Sequence, residues 1–312
     1  MKPKVIFIDS VHPILFERLE QNGYECHWKN DLNRSEVLSI LPNYTGAVIR
    51  SKFKFDKEVF EKSTQLKWIA RSGAGMENIN AKIAQNKNIQ LFNSPEGNRD
   101  AVAEHCIMMI LSLFNQLNQA DSEVRLGQWN REKNRGIELK RKTVGLLGYG
   151  YMGEALAKRL TGFGVTTIAY DKYKTKFSSE IVTEVDLETF FKQSDILSIH
   201  LPLTKETTCL VDESFLNRFD KNIYLINTAR GKNVKTADLV SALITGKVVG
   251  AGLDVLEYEK TSFEDLKKEE LPTDFQYLAD SNKVVLSPHV AGWTKESYFK
   301  LSNVLANKIL SK

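Results

Sequence analysis

The stretch Thr143-Val-Gly-Leu-Leu-Gly-Tyr-Gly-Tyr-Met-Gly153 constrains this chain more tightly than any other. Residues 144–147 form a short apolar run, long enough for one buried parallel strand. That run leads straight into Gly148-x-Gly150-x-x-Gly153, and a helical pattern begins at Glu154. In such a turn the first glycine permits the tight bend and the second lets backbone approach a pyrophosphate. The third lets the helix pack close to the strand. The helix N-terminus then offers unpaired N–H groups to phosphate oxygens. A second strand pattern, 165–170, ends in Asp171, where a carboxylate accepts hydrogen bonds from a ribose. Strand, turn, helix, strand and acid in this order predict a dinucleotide-binding Rossmann unit. Asp171 repels a 2′-phosphate, which points to NAD rather than NADP. Lys172, Lys174 and Lys176 beside it work against that preference.

The rest of the chain reads as α/β. Strand patterns at 5–9, 47–50, 68–71 and 89–92 alternate with helical ones at 13–22, 35–41, 57–63 and 81–85. A long amphipathic helix is expected over 99–120, where Glu104 and His105 read as helix-dipole support and a structural histidine. After it, strands at 144–147, 165–170, 196–200, 223–227, 250–255 and 284–287 make a doubly wound parallel sheet. A final helix over 295–309 has no place in that sheet and is expected to return to the first unit. The expected domains are therefore 1–98 with 288–312, and 99–287. Residues 257–282, rich in Glu, Lys and Asp, read as a loop with at most a short helix.

Composition narrows the function. A net charge of +4 without a long Lys/Arg run suits small anions and argues against nucleic acid. The longest apolar stretch, 106–114, is too short to span a bilayer, and a strand pattern begins at Val5, so no membrane anchor or signal peptide is expected. Cys26, Cys106 and Cys209 are far apart in apolar runs and read as buried thiols in a reducing cytoplasm, with no metal site.

Two residues past predicted strand ends could do chemistry. His289 follows 284–287 at the carboxyl edge where ligands collect in open α/β sheets, and imidazole can both give and take a proton near neutral pH. Arg230, just past 223–227, can fork onto a carboxylate. A glutamate after 250–255 could hold the imidazole in one tautomer, and Glu257 and Glu259 are both placed to do so.

Several motifs follow one another in a fixed order: the glycine turn with Asp171, His200-Leu-Pro-Leu-Thr204, Asn227-Thr-Ala-Arg-Gly231, Gly250-Ala-Gly-Leu-Asp-Val255 and Ser287-Pro-His-Val-Ala-Gly292. With Gly73-Ala-Gly75, Asn93-Ser-Pro95 and Ala101-Val-Ala-Glu104 upstream, the whole chain resembles the D-isomer-specific 2-hydroxyacid dehydrogenases. The resemblance implies a flavodoxin-like substrate domain beside the NAD domain, a cleft between them, and a homodimer. It implies Arg230 on the substrate carboxylate and carbonyl, His289 as acid/base and Glu259 as its partner, although Lys260 stands where the family usually has proline. It further implies NAD contacts from Gly148, Gly150, Tyr151, Met152, Gly153, Asp171, Leu201, Thr228, Ala229, Asp254, Ala291 and Gly292. Asp254 matches the residue that holds the nicotinamide carboxamide, and the N–H groups of Ala74 and Gly75 match those that bind the substrate carboxylate.

Arg50-Ser-Lys-Phe-Lys54 and Gly127-Gln-Trp-Asn-Arg131 are similar to segments of the phosphoglycerate dehydrogenases in that family. Arg50, Lys52 and Arg131 would then serve a phosphorylated substrate, 3-phosphoglycerate. The alternatives are a glyoxylate or hydroxypyruvate reductase on the same scaffold, or a non-catalytic NAD-sensing protein like the corepressor relatives. With the chain ending at Lys312, no appended regulatory domain is expected.

Overall fold

The computed structural model describes residues 2–259 and 271–311. Its contacts divide the chain into two units, Met1–Arg99 with Trp293–Lys312, and Asp100–Gly292.

In the first unit, β1 (Lys4–Phe7), β2 (Glu25–Trp28), β3 (Gly46–Ile49), β4 (Trp68–Arg71) and β5 (Gln90–Asn93) form one parallel sheet in the order β2-β1-β3-β4-β5. This is the flavodoxin-like order. Strand β3 is buried along its whole length, as a central strand covered on both faces must be. β2 escapes a reading by apolar runs because Glu25-Cys-His-Trp28 is an edge strand with only Cys26 buried. The last helix, Lys295–Leu310, belongs to this unit, with Thr294 and Ser297 forming a capping box at its start. It packs on helix Ile14–Gln21, where Arg18 Nη1 donates to Asn303 Oδ1 and Asn307 Oδ1, both at 2.7 Å.

The second unit carries β6 (Thr143–Leu147), β7 (Thr166–Tyr170), β8 (Thr183–Glu184), β9 (Ile196–Ile199), β10 (Ile223–Asn227), β11 (Val248–Leu253) and β12 (Val284–Leu286). All pair in parallel, in the order β12-β11-β10-β9-β6-β7-β8. The order reverses between β6 and β9, so the crevice at their carboxyl ends is the switch point where a dinucleotide lies in this fold. Below it, Phe190, Phe191 and Phe219 are at most 1% exposed. Burial of each stabilises the unit by about 1.5–3 kcal/mol.

Three sequence expectations are corrected. The long helix runs Pro95–Phe114 rather than over 99–120. It stops because Gln116 is left-handed (φ 49°), and a separate helix, Leu117–Arg125, follows. Glu104 consequently lies mid-helix and pairs with Arg159 at 3.3 Å, while Glu96 occupies the first turn. Cys209 is half-buried rather than buried, although Cys26 and Cys106 are. Of the acidic stretch 257–282, residues 260–270 lie outside the described residues, and Thr273–Asp280 is helical. Among the described residues no helix is long and apolar enough to cross a membrane.

Candidate active site

The site in the second unit is built at the carboxyl ends of neighbouring strands. The glycine turn leaves β6 with Gly148 at φ +94°, and a Cβ there would meet the His200 carbonyl oxygen at 2.7 Å. A Cβ on Gly153 would meet the Gly148 carbonyl oxygen at 2.5 Å, so the helix can close on the strand only with glycine. Gly150 differs. Nothing lies within 4 Å of its missing Cβ, and as N-cap of helix Tyr151–Leu160 it provides no side-chain cap. The turn thus presents bare backbone and helix N–H groups to open space, a fit to a pyrophosphate. Tyr151 stands exposed at that N-terminus and Met152 packs inward against the core.

Asp171 ends β7 beside this turn. Its Oδ2 accepts from Tyr149 N–H at 2.8 Å, and its Oδ1 accepts from the N–H groups of Tyr173 and Lys174 at 2.9 Å. Partial burial pushes its pKa up, but these donors outweigh that and hold the carboxyl below the usual range. The charge is fixed in place, and Oδ2 keeps an acceptor position that suits a ribose hydroxyl. Leu201 and Ala229 line the opposite wall, packed against the core, and Thr228 Oγ1 contacts the buried Cys106 Sγ at 3.2 Å.

The chemistry-bearing residues follow β10, β11 and β12, adjacent in the sheet. Arg230 follows β10, with Nη1 donating to Ala229 O at 2.6 Å and its own carbonyl receiving Asn227 Nδ2 at 3.0 Å. The next residue must be glycine, since a Cβ on Gly231 would sit 1.9 Å from the Leu256 carbonyl oxygen. The Arg230 turn therefore lies directly against the turn that carries the two glutamates, and the structure separates their roles. Glu257 Oε2 accepts Thr236 N–H at 2.8 Å, serving the start of helix Thr236–Thr245. Glu259 Oε2 is 2.8 Å from His289 Nδ1, while its Oε1 accepts Leu256 N–H at 2.5 Å. With a carboxylate on Nδ1, that nitrogen carries the proton and Nε2 is left to exchange one.

His289 is left-handed (φ +55°), unusual for a residue with a Cβ. Asp254, at the end of β11, imposes this turn. Its carbonyl accepts His289 N–H at 2.8 Å, and its carboxylate accepts Val290 N–H at 2.9 Å, Ala291 N–H at 2.8 Å and Ser287 Oγ–H at 2.5 Å. Ser287 Oγ also meets His105 Nε2 at 2.9 Å. Asp254 is 1% exposed, so this carboxylate is a buried anchor of the 287–291 turn as well as the residue the resemblance assigned to nicotinamide. Neither that anchor nor the Ser287–His105 contact is readable from the sequence, because the partners lie 33–37 and 182 positions apart. Burial shifts two other histidines of this unit downward, His200 to about 4 and His105 despite the opposing charge of Asp254.

The first unit gathers its own candidates at strand ends. Arg50 follows β3 and the Gly73–Gly75 loop follows β4, with Arg71 Nε and Asn78 Nδ2 donating to the Arg50 carbonyl at 3.2 and 3.1 Å. Asn93 Nδ2 donates to Ala74 O at 2.7 Å, leaving the Ala74 and Gly75 N–H groups on an ordered loop. The Arg50 guanidinium lies 3.8 Å from the centre of the Trp293 ring, a stack between residues far apart in the chain and without a local sequence signature. Burial lowers its pKa, against the raising charge of Asp9. Lys52 instead donates Nζ to Asn30 O at 2.5 Å. Arg131 sits in the second unit, on an exposed stretch whose neighbours Asn130, Lys133 and Asn134 converge on Glu123.

Comparison with known proteins agrees with this architecture. Residues 107–291 match the model of the D-isomer specific 2-hydroxyacid dehydrogenase, NAD binding domain. Glyoxylate reductase of Thermococcus litoralis is 35% identical over 323 aligned positions, covering 100% of this chain and 94% of the relative. D-3-phosphoglycerate dehydrogenase of Archaeoglobus fulgidus is 34% identical over 310, covering 99% of this chain and 57% of the relative. The crystal structure of D-lactate dehydrogenase from Aquifex aeolicus, complexed with NAD and lactic acid, superposes with a TM-score of 0.82 at 26% identity, covering 99% and 94% of the two chains. The chain belongs to the D-isomer specific 2-hydroxyacid dehydrogenases, and the unit holding the glycine turn is their NAD-binding domain. It spans little more than half the length of the phosphoglycerate dehydrogenases it matches.

Proposed function

We propose that this protein interconverts a D-2-hydroxy acid and its 2-oxo acid with NAD, and that its substrate is 3-phosphoglycerate. The observation that carries the first part is the Glu259–His289 pair at 2.8 Å, held on a turn anchored by Asp254, with Arg230 following the neighbouring strand β10. Bound NAD supplies the two-electron acceptor for oxidation of the hydroxy acid, and NADH the donor for the reverse reaction. Arg230 binds the substrate carboxylate through its planar fork. His289 Nε2 takes the hydroxyl proton during oxidation and returns it to the carbonyl oxygen during reduction, while Glu259 offsets the imidazolium charge. A panel of 2-oxo and 2-hydroxy acids followed by NADH absorbance tests the reading.

Arg50 and Lys52 support the phosphorylated substrate, because both cations follow β3 at one strand end. Arg50→Ala combined with Lys52→Ala should reduce kcat/KM for the phosphorylated acid at least about tenfold more than for an unphosphorylated one. Equal losses on both would contradict it. The second reading, reduction of glyoxylate or hydroxypyruvate, is favoured by the Arg50–Trp293 stack and by the Lys52 contact to Asn30, which engage both cations within the unit itself.

We further propose a homodimer formed through the 108–137 stretch. Met108, Leu117, Val124, Leu126, Trp129 and Ile137 are exposed there, Trp129 at 77%. Light scattering should return twice the 35.4 kDa chain mass, and a single-chain mass would refute the dimer.

A further inference from the structure

Lys172 immediately follows the acidic end of β7, the place from which a cation reaches a ribose 2′-phosphate. In this structure it is turned to another use. The loops after β7 and β9 flank the glycine turn on either side, because β6 lies between those strands. Across that gap Glu206 forms an ion pair with Lys172 and accepts a hydrogen bond from the Tyr173 hydroxyl. Glu206 is presented by a self-braced turn: Thr204 N–H donates to Thr207 Oγ1 at 2.8 Å, and Thr207 Oγ1 donates to Pro202 O at 2.6 Å. Lys174 is also engaged, with Nζ donating to Tyr149 O at 3.2 Å and lying 4.8 Å above the Tyr149 ring. Lys172 is thus held toward Glu206, while Lys174 stays on the glycine turn, where its charge helps to keep the Asp171 carboxylate ionised.

We propose that Glu206 is a second determinant of nucleotide choice: by holding Lys172, it denies a 2′-phosphate its counter-charge. Asp171 selects against NADP by repulsion, and Glu206 does so by occupying the cation that would otherwise compensate. This rests on nucleotide binding at the glycine turn, which the same experiment checks. Both partners are substantially exposed, with side chains 57% and 42% accessible, so the expected effect is moderate.

The test is a titration of NADH and NADPH, read by calorimetry, against wild-type protein, Glu206→Gln, and Glu206→Gln with Lys172→Ala. Glu206→Gln should tighten NADPH binding about three- to fivefold and change NADH binding less than about twofold. Removing Lys172 in that background should abolish the gain. In an Asp171→Ala background, Glu206→Gln should add a further gain for NADPH. Unchanged NADPH affinity in Glu206→Gln, or a gain that persists without Lys172, would overturn the proposal. Retained NADH binding in those variants would show that nucleotide binding itself still stood. A wild-type protein that binds neither nucleotide would overturn both.

Discussion

His289→Gln should lower turnover with every accepted substrate by about 10²- to 10⁴-fold while leaving NADH affinity within about twofold. The reason is the arrangement of the dyad. Glu259 accepts from Nδ1, so proton exchange falls to Nε2, and glutamine provides neither a basic nitrogen nor a titratable proton. Comparison of kcat and of the NADH dissociation constant for the two proteins checks this. Wild-type turnover in the variant would remove His289 from the chemistry.

Asp254→Ala carries the second large effect, in both stability and turnover. The carboxylate receives Ser287 Oγ–H, Val290 N–H and Ala291 N–H in a nearly solvent-free position. Its loss strands the buried Ala291 N–H, at about 1–3 kcal/mol, leaves the half-buried Ser287 and Val290 donors partly unpaired, and releases the left-handed turn that aims the imidazole. Urea unfolding should show a loss of about 2–5 kcal/mol, and turnover should fall by more than about tenfold even where the protein remains folded. Asp254→Asn, which keeps one acceptor oxygen, should lose less stability. An unfolding midpoint and turnover equal to wild type in Asp254→Ala would contradict the anchoring role.

Much of the fold was legible because buried parallel strands announce themselves as short apolar runs. β3, β6 and β9 are buried at nearly every position, and their sequences show it. The strands that escaped are those whose pairing, rather than burial, defines them: β2 at a sheet edge and the two-residue β8. The long helix starts at Pro95, and Ser94-Pro-Glu96 is a sequence suited to a first helical turn, although the same residues also carry the family motif. The site divides in the same way. That a glutamate after β11 could serve His289 was readable, but the choice of Glu259 over Glu257 depended on Thr236, which claims Glu257 from another element. The Asp254 anchor, the Arg50–Trp293 stack and the Lys172–Glu206 pair all join residues far apart in sequence, with no local pattern to mark them.

The central claim is that Arg230, His289 and Glu259 act together on a D-2-hydroxy acid beside bound NAD. Its most direct test is NADH formation from NAD with paired D and L enantiomers of a 2-hydroxy acid panel, run on wild type and on His289→Gln. The account predicts NADH from at least one D acid, none from its L partner, and near-complete loss of that signal in the variant. NADH formation from the L enantiomer at an equal rate, or from neither enantiomer of any acid, would contradict it.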